Sequence, residues 1–436
     1  MMKTVDGTAT PFCRVPVAPS TGARPALFRC GARPLVSGQN KGAGSVFPDT
    51  IDISESPFSA YAPEPWPHAY APIEEASTPP SSWYLSPEVF ELEKLAIFHR
   101  NWLMVGHASQ ASKPGDYFTG TIADINYVVV RGNDKELRAF HNVCRHKAAP
   151  VAEGSGCVDM FECMYHGWQY DHEGRFRGAT QLKGIKDFAA KDYGLVPIQL
   201  DTWGQFVFIR ADPSSDRGSV AEWLGEGGRR MAECGMEAPD LVHARTMTYD
   251  LECNWKVFND NYLDTCYHCP FAHPGLCEAL DLSEYHSVCY ENNSFQFSPL
   301  APVEERPTEG QSEWDIVTGP RFDGDGSGPR YSFVYPNIMV NRYSMWMGTM
   351  RVLPLSEGKT HVIMEYYVHP SKLGDKAWID AVVTGEDIVQ REDMHMCDLV
   401  QGGLASPAYD VGRYAPSVEE PVFHFHKLVH KDLVGQ

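Results

Sequence analysis

Residues 141–171, HNVCRHKAAPVAEGSGCVDMFECMYHGWQYD, decide how this chain is read. They hold Cys144-Arg-His146, then sixteen residues, then Cys163-Met-Tyr-His166. Each tight loop carries one thiol and one imidazole. Two Cys and two His can form a structural zinc site. Zinc fingers, however, pair Cys with Cys and His with His, and the mixing here argues for another metal.

The mixed pairs match the donor set of a Rieske [2Fe–2S] centre, in which one iron takes two thiolates and the other two imidazoles. Neutral imidazoles leave the cluster less negative and raise its potential, so the centre takes up and passes on single electrons. A loop follows the first pair, and the second leads into a turn and a short strand.

The rest of the chain is larger than such a centre needs. Its 436 residues have room for two or three domains. Apolar residues at 43% and aromatics at 12% describe an ordinary globular core. No apolar run of about 18 residues is present, so no membrane span is expected. A net charge of −20 argues against nucleic acid and anionic lipid as partners. Twelve Cys without small-domain disulfide spacing, together with a cluster, suggest reduced thiols and a reducing compartment.

The two ends differ. Residues 1–45 carry six basic residues and the single acid Asp6, a balance of +5 that leaves −25 on residues 46–436. This acid-poor, Arg- and Ser-containing segment suits an organelle transit peptide, with a plastid as the expected destination and the cytoplasm as the alternative. Residues 46–80 are Pro- and Ser-rich and read as an arm. Residues 81–215 open with a helix capped by Ser86, with Pro87 at its first position, and continue as short alternating strands bearing the two cluster loops. Residues 216–436 mix antiparallel strands (332–355 and 360–370) with one long helix over 378–404. The fold class is therefore α+β. No flavin or nicotinamide fingerprint is present, so electrons are expected from another protein.

A second constellation lies in NWKVFNDNYLDTCYHCPFAHPG, residues 254–275. His268 and His273 are five apart, about 140° around a regular helix. Pro270 is expected to interrupt the helix and let them converge on one ion. Asp264, four before His268, is expected on the same helix face. Two imidazoles and one carboxylate leave an iron open to dioxygen and substrate. The third ligand is left to the late helix, where Asp393, Glu392, Glu386, Asp387 and Asp398 compete.

The segments FHNVCRHKAAPVAEGSG (140–156), CMYHGWQYD (163–171), YPNIMVNRYSMWM (335–347) and CDLVQGGLASPAYDVGRYAPSVEEPVFHFH (397–426) resemble the Rieske non-haem iron oxygenases, and within them the choline monooxygenase-like branch acting on quaternary amines. The resemblance spans residues 80–430. It implies an all-β Rieske domain followed by a helix-grip catalytic domain. It places Cys144 and Cys163 on one cluster iron and His146 and His166 on the other, with His268, His273 and Asp393 on a mononuclear iron. It also implies dioxygen as co-substrate, a ferredoxin or reductase as donor, and a ring, usually a trimer, in which Asp264 bridges neighbouring metals. Thr265 occupies the slot where many relatives carry that acid. Choline oxidation to betaine aldehyde is the activity implied, with N-demethylation of glycine betaine, stachydrine or carnitine as the alternative. A Rieske electron carrier without oxygenase activity is the reading from another class. A quaternary ammonium is recognised by aromatic faces, and Tyr335, Tyr343 and Trp346 are the candidates. If they lay on one strand, parity would turn Trp346 away from the two tyrosines. Arg342 is the one charge evident for a substrate carboxylate.

Overall fold

Strand-forming runs separated by turns build three antiparallel sheets in the computed structural model, which describes residues 56–277, 280–301 and 328–434. The transit-like segment 1–45 and residues 46–55 of the arm lie outside the described residues. The expected α+β architecture is present. The helices are α1 (Ser82–Leu85), α2 (Pro87–Glu93), α3 (Val220–Glu233), α4 (Trp255–Leu263), α5 (Cys269–Ala272), α6 (Pro274–Cys277), α7 (Lys376–Leu404) and α8 (Glu420–Val434).

The first part of the chain is almost entirely β. Strands β1 (Leu103–His107), β2 (Asp116–Ile122), β3 (Ile125–Arg131), β4 (Leu137–His141), β5 (Ser155–Cys157), β9 (Pro197–Trp203) and β10 (Phe206–Arg210) form one sheet in the order β1-β10-β9-β4-β3-β2-β5. Strands β6 (Phe161–Glu162), β7 (Gln169–Tyr170) and β8 (Phe176–Gly178) form a small second sheet. Alternate side chains of β3 explain the layering. Val128 and Val130 join Phe140, Trp168 and Tyr170 around Cys144 and Cys163, while Tyr127 and Val129 face the main core.

The third sheet holds β11 (Val242–Leu251), β12 (His286–Cys289), β13 (Asn293–Phe297), β14 (Arg330–Val334), β15 (Ile338–Arg342), β16 (Trp346–Ser356) and β17 (Lys359–Val368) in the order β11-β17-β16-β15-β14-β13-β12. Trp346 pairs with Val368 and Met347 with Tyr367. Period-two alternation sends Met347 and Tyr367 to a core with Trp102, Phe206 and Trp223. Trp346 and Tyr366 go to the opposite core, against Trp378, Ile379 and Val383 of α7. The sheet is thus sandwiched between the β part plus α3 on one face and the long helix on the other.

Ser86 caps α2 as expected, its Oγ accepting from the Val89 amide at 3.2 Å. The helix α8 was not foreseen from the sequence. Order also begins earlier than residue 81, where the first helix was expected to open. Trp66 is 3% exposed, donates from Nε1 to the Ser77 carbonyl at 2.9 Å, and meets Trp83 and Phe423 edge to face. Ser77 bridges to Arg413. A Pro-rich segment without periodicity is held here by a few large aromatic anchors rather than by helix or strand, which is why its pattern reads as a linker.

Candidate metal centres

The two cluster loops share one backbone design. The Cys144 carbonyl accepts from the Ala148 amide, and the Cys144 amide donates to the Ala149 carbonyl. The Cys163 carbonyl accepts from Gly167, and the Cys163 amide donates to Trp168. The fifth residue of each loop is left-handed, Ala148 at φ 61° and Gly167 at φ 67°. Each loop therefore folds back on itself within five residues.

Both thiols are buried, Cys144 at 3% and Cys163 at 2%, whereas His146 is exposed and His166 half-buried. The two imidazoles are 4.5 Å apart between ring centres. Trp168 stacks flat on His146 at 4.9 Å. The Tyr170 hydroxyl lies 3.2 Å from Cys144 Sγ and accepts from the Arg145 amide at 3.0 Å. Burial keeps this phenol protonated, so it can donate to a thiolate. Two buried thiols, two outward imidazoles and a donor aimed at sulfur fit a Rieske cluster whose imidazole-bearing iron faces out.

The second centre sits where α4 ends. Asn254 caps α4, its Oδ1 accepting from the Lys256 amide at 2.9 Å. The helix stops at Leu263, so Asp264 and His268 do not share a helix face, contrary to the expectation. Thr265 and Cys266 adopt left-handed φ of 54° and 61° and turn the chain back. Two such non-glycine residues cost roughly 1–2 kcal/mol each. The turn brings His268 Nδ1 to 2.7 Å from Asp264 Oδ2. Nor does Pro270 break a helix: it stands in the first turn of the short α5, with His268 before it and His273 after it. One turn of helix between the two imidazoles makes them converge, Nε2 to Nε2 at 3.1 Å.

The third member comes from α7. Its inward stripe runs Ile379, Val382, Val383, Glu386, Gln390, Asp393, Cys397, with steps of three and four from Val383 onward. The stripe turns polar as it crosses the cavity beside His268. Asp393 Oδ1 lies 2.9 Å from His273 Nε2 and 3.3 Å from His268 Nε2. Ligand atoms of His268, His273 and Asp393 all fall within 4.8 Å of one another. Of the competing acids, Glu392 bonds the outer nitrogen of His273, Nδ1, at 2.7 Å, and Asp387 bonds Tyr249 and Arg391.

Electrostatics follow from this packing. Burial opposes protonation of His268, but its bonds to Asp264 and Asp393 outweigh it and lift the group to about 10. Burial likewise opposes the Asp393 carboxylate, and the two imidazoles still hold it down near 2. Three donors drawn to one point by shared protons are a preorganised cation site, and a two-histidine, one-carboxylate set suits ferrous iron with open positions.

The adjoining cavity is lined by Tyr262, Tyr285, Tyr331, Tyr343, Glu386 and Gln390 along with the three donors. Tyr343 and Trp346 stack at 4.2 Å, with Trp346 wholly buried behind the tyrosine. Tyr335 is not part of this lining; its hydroxyl donates to Asp432 and its ring packs on Phe425. The three aromatics do not lie on one strand. Turns separate them, so strand parity does not govern their directions. Cys266 and Cys269, which bracket His268, form a disulfide, whereas the sequence had suggested reduced thiols throughout. The Cys-x-x-Cys spacing was the available signal.

Residues 238–433 match the ring hydroxylating alpha subunit (catalytic domain) family, and residues 101–189 match the Rieske [2Fe-2S] domain family. Fold and donor sets thus define an oxygenase α subunit with a cluster module and a mononuclear iron module. The chloroplastic choline monooxygenase of Arabidopsis thaliana is 41% identical over 370 residues, covering 83% of this chain and 84% of that one. The carnitine monooxygenase oxygenase subunit of Escherichia coli K12 is 30% identical, covering 82% and 94%. A crystal structure of the quaternary ammonium Rieske monooxygenase CntA with L-carnitine matches with a TM-score of 0.73 at 27% identity, over 85% of this chain and 99% of that one. The chain belongs to the Rieske non-haem iron monooxygenases, in the branch that holds the choline and carnitine enzymes, and a [2Fe–2S] Rieske cluster and a mononuclear iron go with its two modules.

Proposed function

We propose that this monooxygenase oxidises a quaternary ammonium compound, choline to the hydrate of betaine aldehyde, with electrons from a ferredoxin or its reductase. The observation that carries the reading is the cavity lining: four tyrosines and the carboxyl groups Glu386 and Asp393, with no Lys or Arg among the described residues that line it. A quaternary ammonium has no N–H to donate and is held by aromatic faces and negative potential. A substrate bearing its own carboxylate would need a cation. Arg342 donates instead to the carbonyls of Tyr343, Ser344 and Trp346.

In this reading Cys144, Cys163, His146 and His166 hold the cluster, and His268, His273 and Asp393 hold the iron. The metals supply one-electron transfer and dioxygen activation. The remaining work falls to the chain. Tyr343, backed by Trp346, offers a ring face to the ammonium. Burial keeps Tyr262 and Tyr285 neutral, and their hydroxyls donate to Asn341 and Gln296, so toward a substrate hydroxyl they can only accept. Asp264 fixes His268 and, with its side chain 15% exposed, is the contact through which an electron enters from a neighbouring copy. Apolar rims support that pairing. Met164 and Tyr165, 77% and 60% exposed, flank His166, while Tyr267 and Phe271, 53% and 86% exposed, flank His268. A ring of copies, a trimer, would set one rim against the other.

The second reading is N-demethylation of glycine betaine, stachydrine or carnitine, and a carnitine monooxygenase oxygenase subunit among the relatives keeps carnitine as a candidate substrate. Incubation with methyl-labelled choline, glycine betaine and carnitine separates the two. Betaine aldehyde from choline is expected. Formaldehyde from glycine betaine or carnitine, with choline untouched, would move the protein to the second reading. The chloroplastic relatives and the +5 leader support a plastid stroma location. A fluorescent fusion of residues 1–60 should enter plastids and be shortened; diffuse cytosolic signal would refute import.

A further inference from the structure

Each imidazole of the iron site carries a carboxylate on its outer nitrogen. For His268 it is Asp264, at 2.7 Å from Nδ1. For His273 it is Glu392, also at 2.7 Å from Nδ1. The inner nitrogens both face Asp393. We infer that Glu392 is a positioning residue for the iron, holding His273 as the tautomer whose Nε2 is free to bind metal.

The reasoning is one of proton placement. A neutral imidazole has one N–H and one lone pair, and the group bonded to one nitrogen decides which is which. An acceptor on Nδ1 puts the proton there and leaves the Nε2 lone pair pointing at Asp393. Without that acceptor, the other tautomer places a proton where the metal should go, and the ring is free to turn. Among the described residues no other side chain is bonded to His273 Nδ1. Glu392 reaches the ring from the solvent side, its side chain 39% exposed against 2% for His273. It therefore acts as an outer latch on a buried ring. Its oxygen lies on the far nitrogen from the three-donor cluster, so it does not itself serve as the third ligand.

The two consecutive acids divide the work. Residues 392 and 393 lie about 100° apart around α7. One step sends Asp393 inward to bind and Glu392 sideways to orient, so a single helix sets both the ligand and the ring that faces it.

This inference rests on the assignment of His268, His273 and Asp393 as the ligands, and its test keeps the two separable. The full-length, cluster-containing protein is stripped of mononuclear metal and titrated with Fe(II) against a competing chelator. Glu392→Ala should bind ~10–100-fold more weakly, the usual effect of losing an outer partner of a metal-bound histidine. Glu392→Gln, whose amide oxygen still accepts from Nδ1–H, should stay within about threefold of wild type. The Rieske absorption, unchanged in both, reports intact folding. Wild-type affinity in Glu392→Ala overturns the inference, and so does a Gln variant as weak as the Ala variant. Asp393→Ala is the control: if it binds Fe(II) like wild type, the ligand assignment fails, whatever Glu392 does.

Discussion

Tyr170 shows how much one hydroxyl can set. Its O–H points at Cys144 Sγ from 3.2 Å, and a donor to cluster sulfur stabilises the more negative, reduced state. Tyr170→Phe should lower the cluster potential by on the order of 50 mV, the one-electron equivalent of about 1 kcal/mol of hydrogen bonding. Spectroelectrochemistry reads the shift, and an unchanged potential would mean the hydroxyl serves only Arg145. His141 is a second single-residue lever. Burial pushes it down to about 4, with His99 adding to the effect and Asp124 opposing it. Unfolded, the same imidazole titrates near 6.5. The depressed group favours the fold fully above pH ~6.5, and that contribution is lost as pH falls toward 4, at most roughly 3 kcal/mol. Chemical denaturation at pH 5 and pH 8 should show a smaller pH difference for His141→Gln than for wild type. Both effects arise from neighbours distant in sequence, and neither is visible in the loop motifs.

At the scale of elements, α2 and α4 are tied by a buried cluster of charge. Glu93 accepts from Lys256 Nζ and, at 2.7 Å, from Trp255 Nε1, and both charged groups are essentially unexposed. Burial raises the Glu93 carboxyl and lowers the Lys256 ammonium, and each partner opposes the other's shift. Glu93→Ala would strand a buried cation and should cost about 3–5 kcal/mol. Replacing both, as Glu93→Leu with Lys256→Met, should recover most of the loss. Urea midpoints compare the two variants, and equal destabilisation by both would place the effect in packing rather than charge. The elements also show what could be read beforehand. Ser86-Pro87 announced α2, and the run 378–404 read as one long helix, because those signals are local. The contact between Asp264 and His268 was expected for the wrong reason, since two left-handed residues, not a helix turn, make it. The choice of Asp393 over Glu392 depends on how α7 rolls against the sheet, which spacing along the helix does not encode.

For the whole molecule, the division into a cluster-bearing β part and an iron-bearing sheet with helices was legible because each part carries its own dense motif. The role of residues 56–81 was not, since their structure exists only where chain from the far end meets them. The amides of Thr78 and Ser81 donate to the carbonyls of Gly412 and Asp410, and Arg413 returns a bond from Nε to the Ala76 carbonyl. Trp66 packs on Phe423 and His426 of α8. Trimming therefore has a limit. A form that starts at residue 56 keeps every one of these contacts. Removal through residue 85 strips Trp66, Trp83 and Tyr84 together, which bury most of their aromatic surface. That form should be insoluble or melt well over ten degrees lower. The arm thus acts as a clasp, and the folded body depends on a segment that lies far from it in sequence.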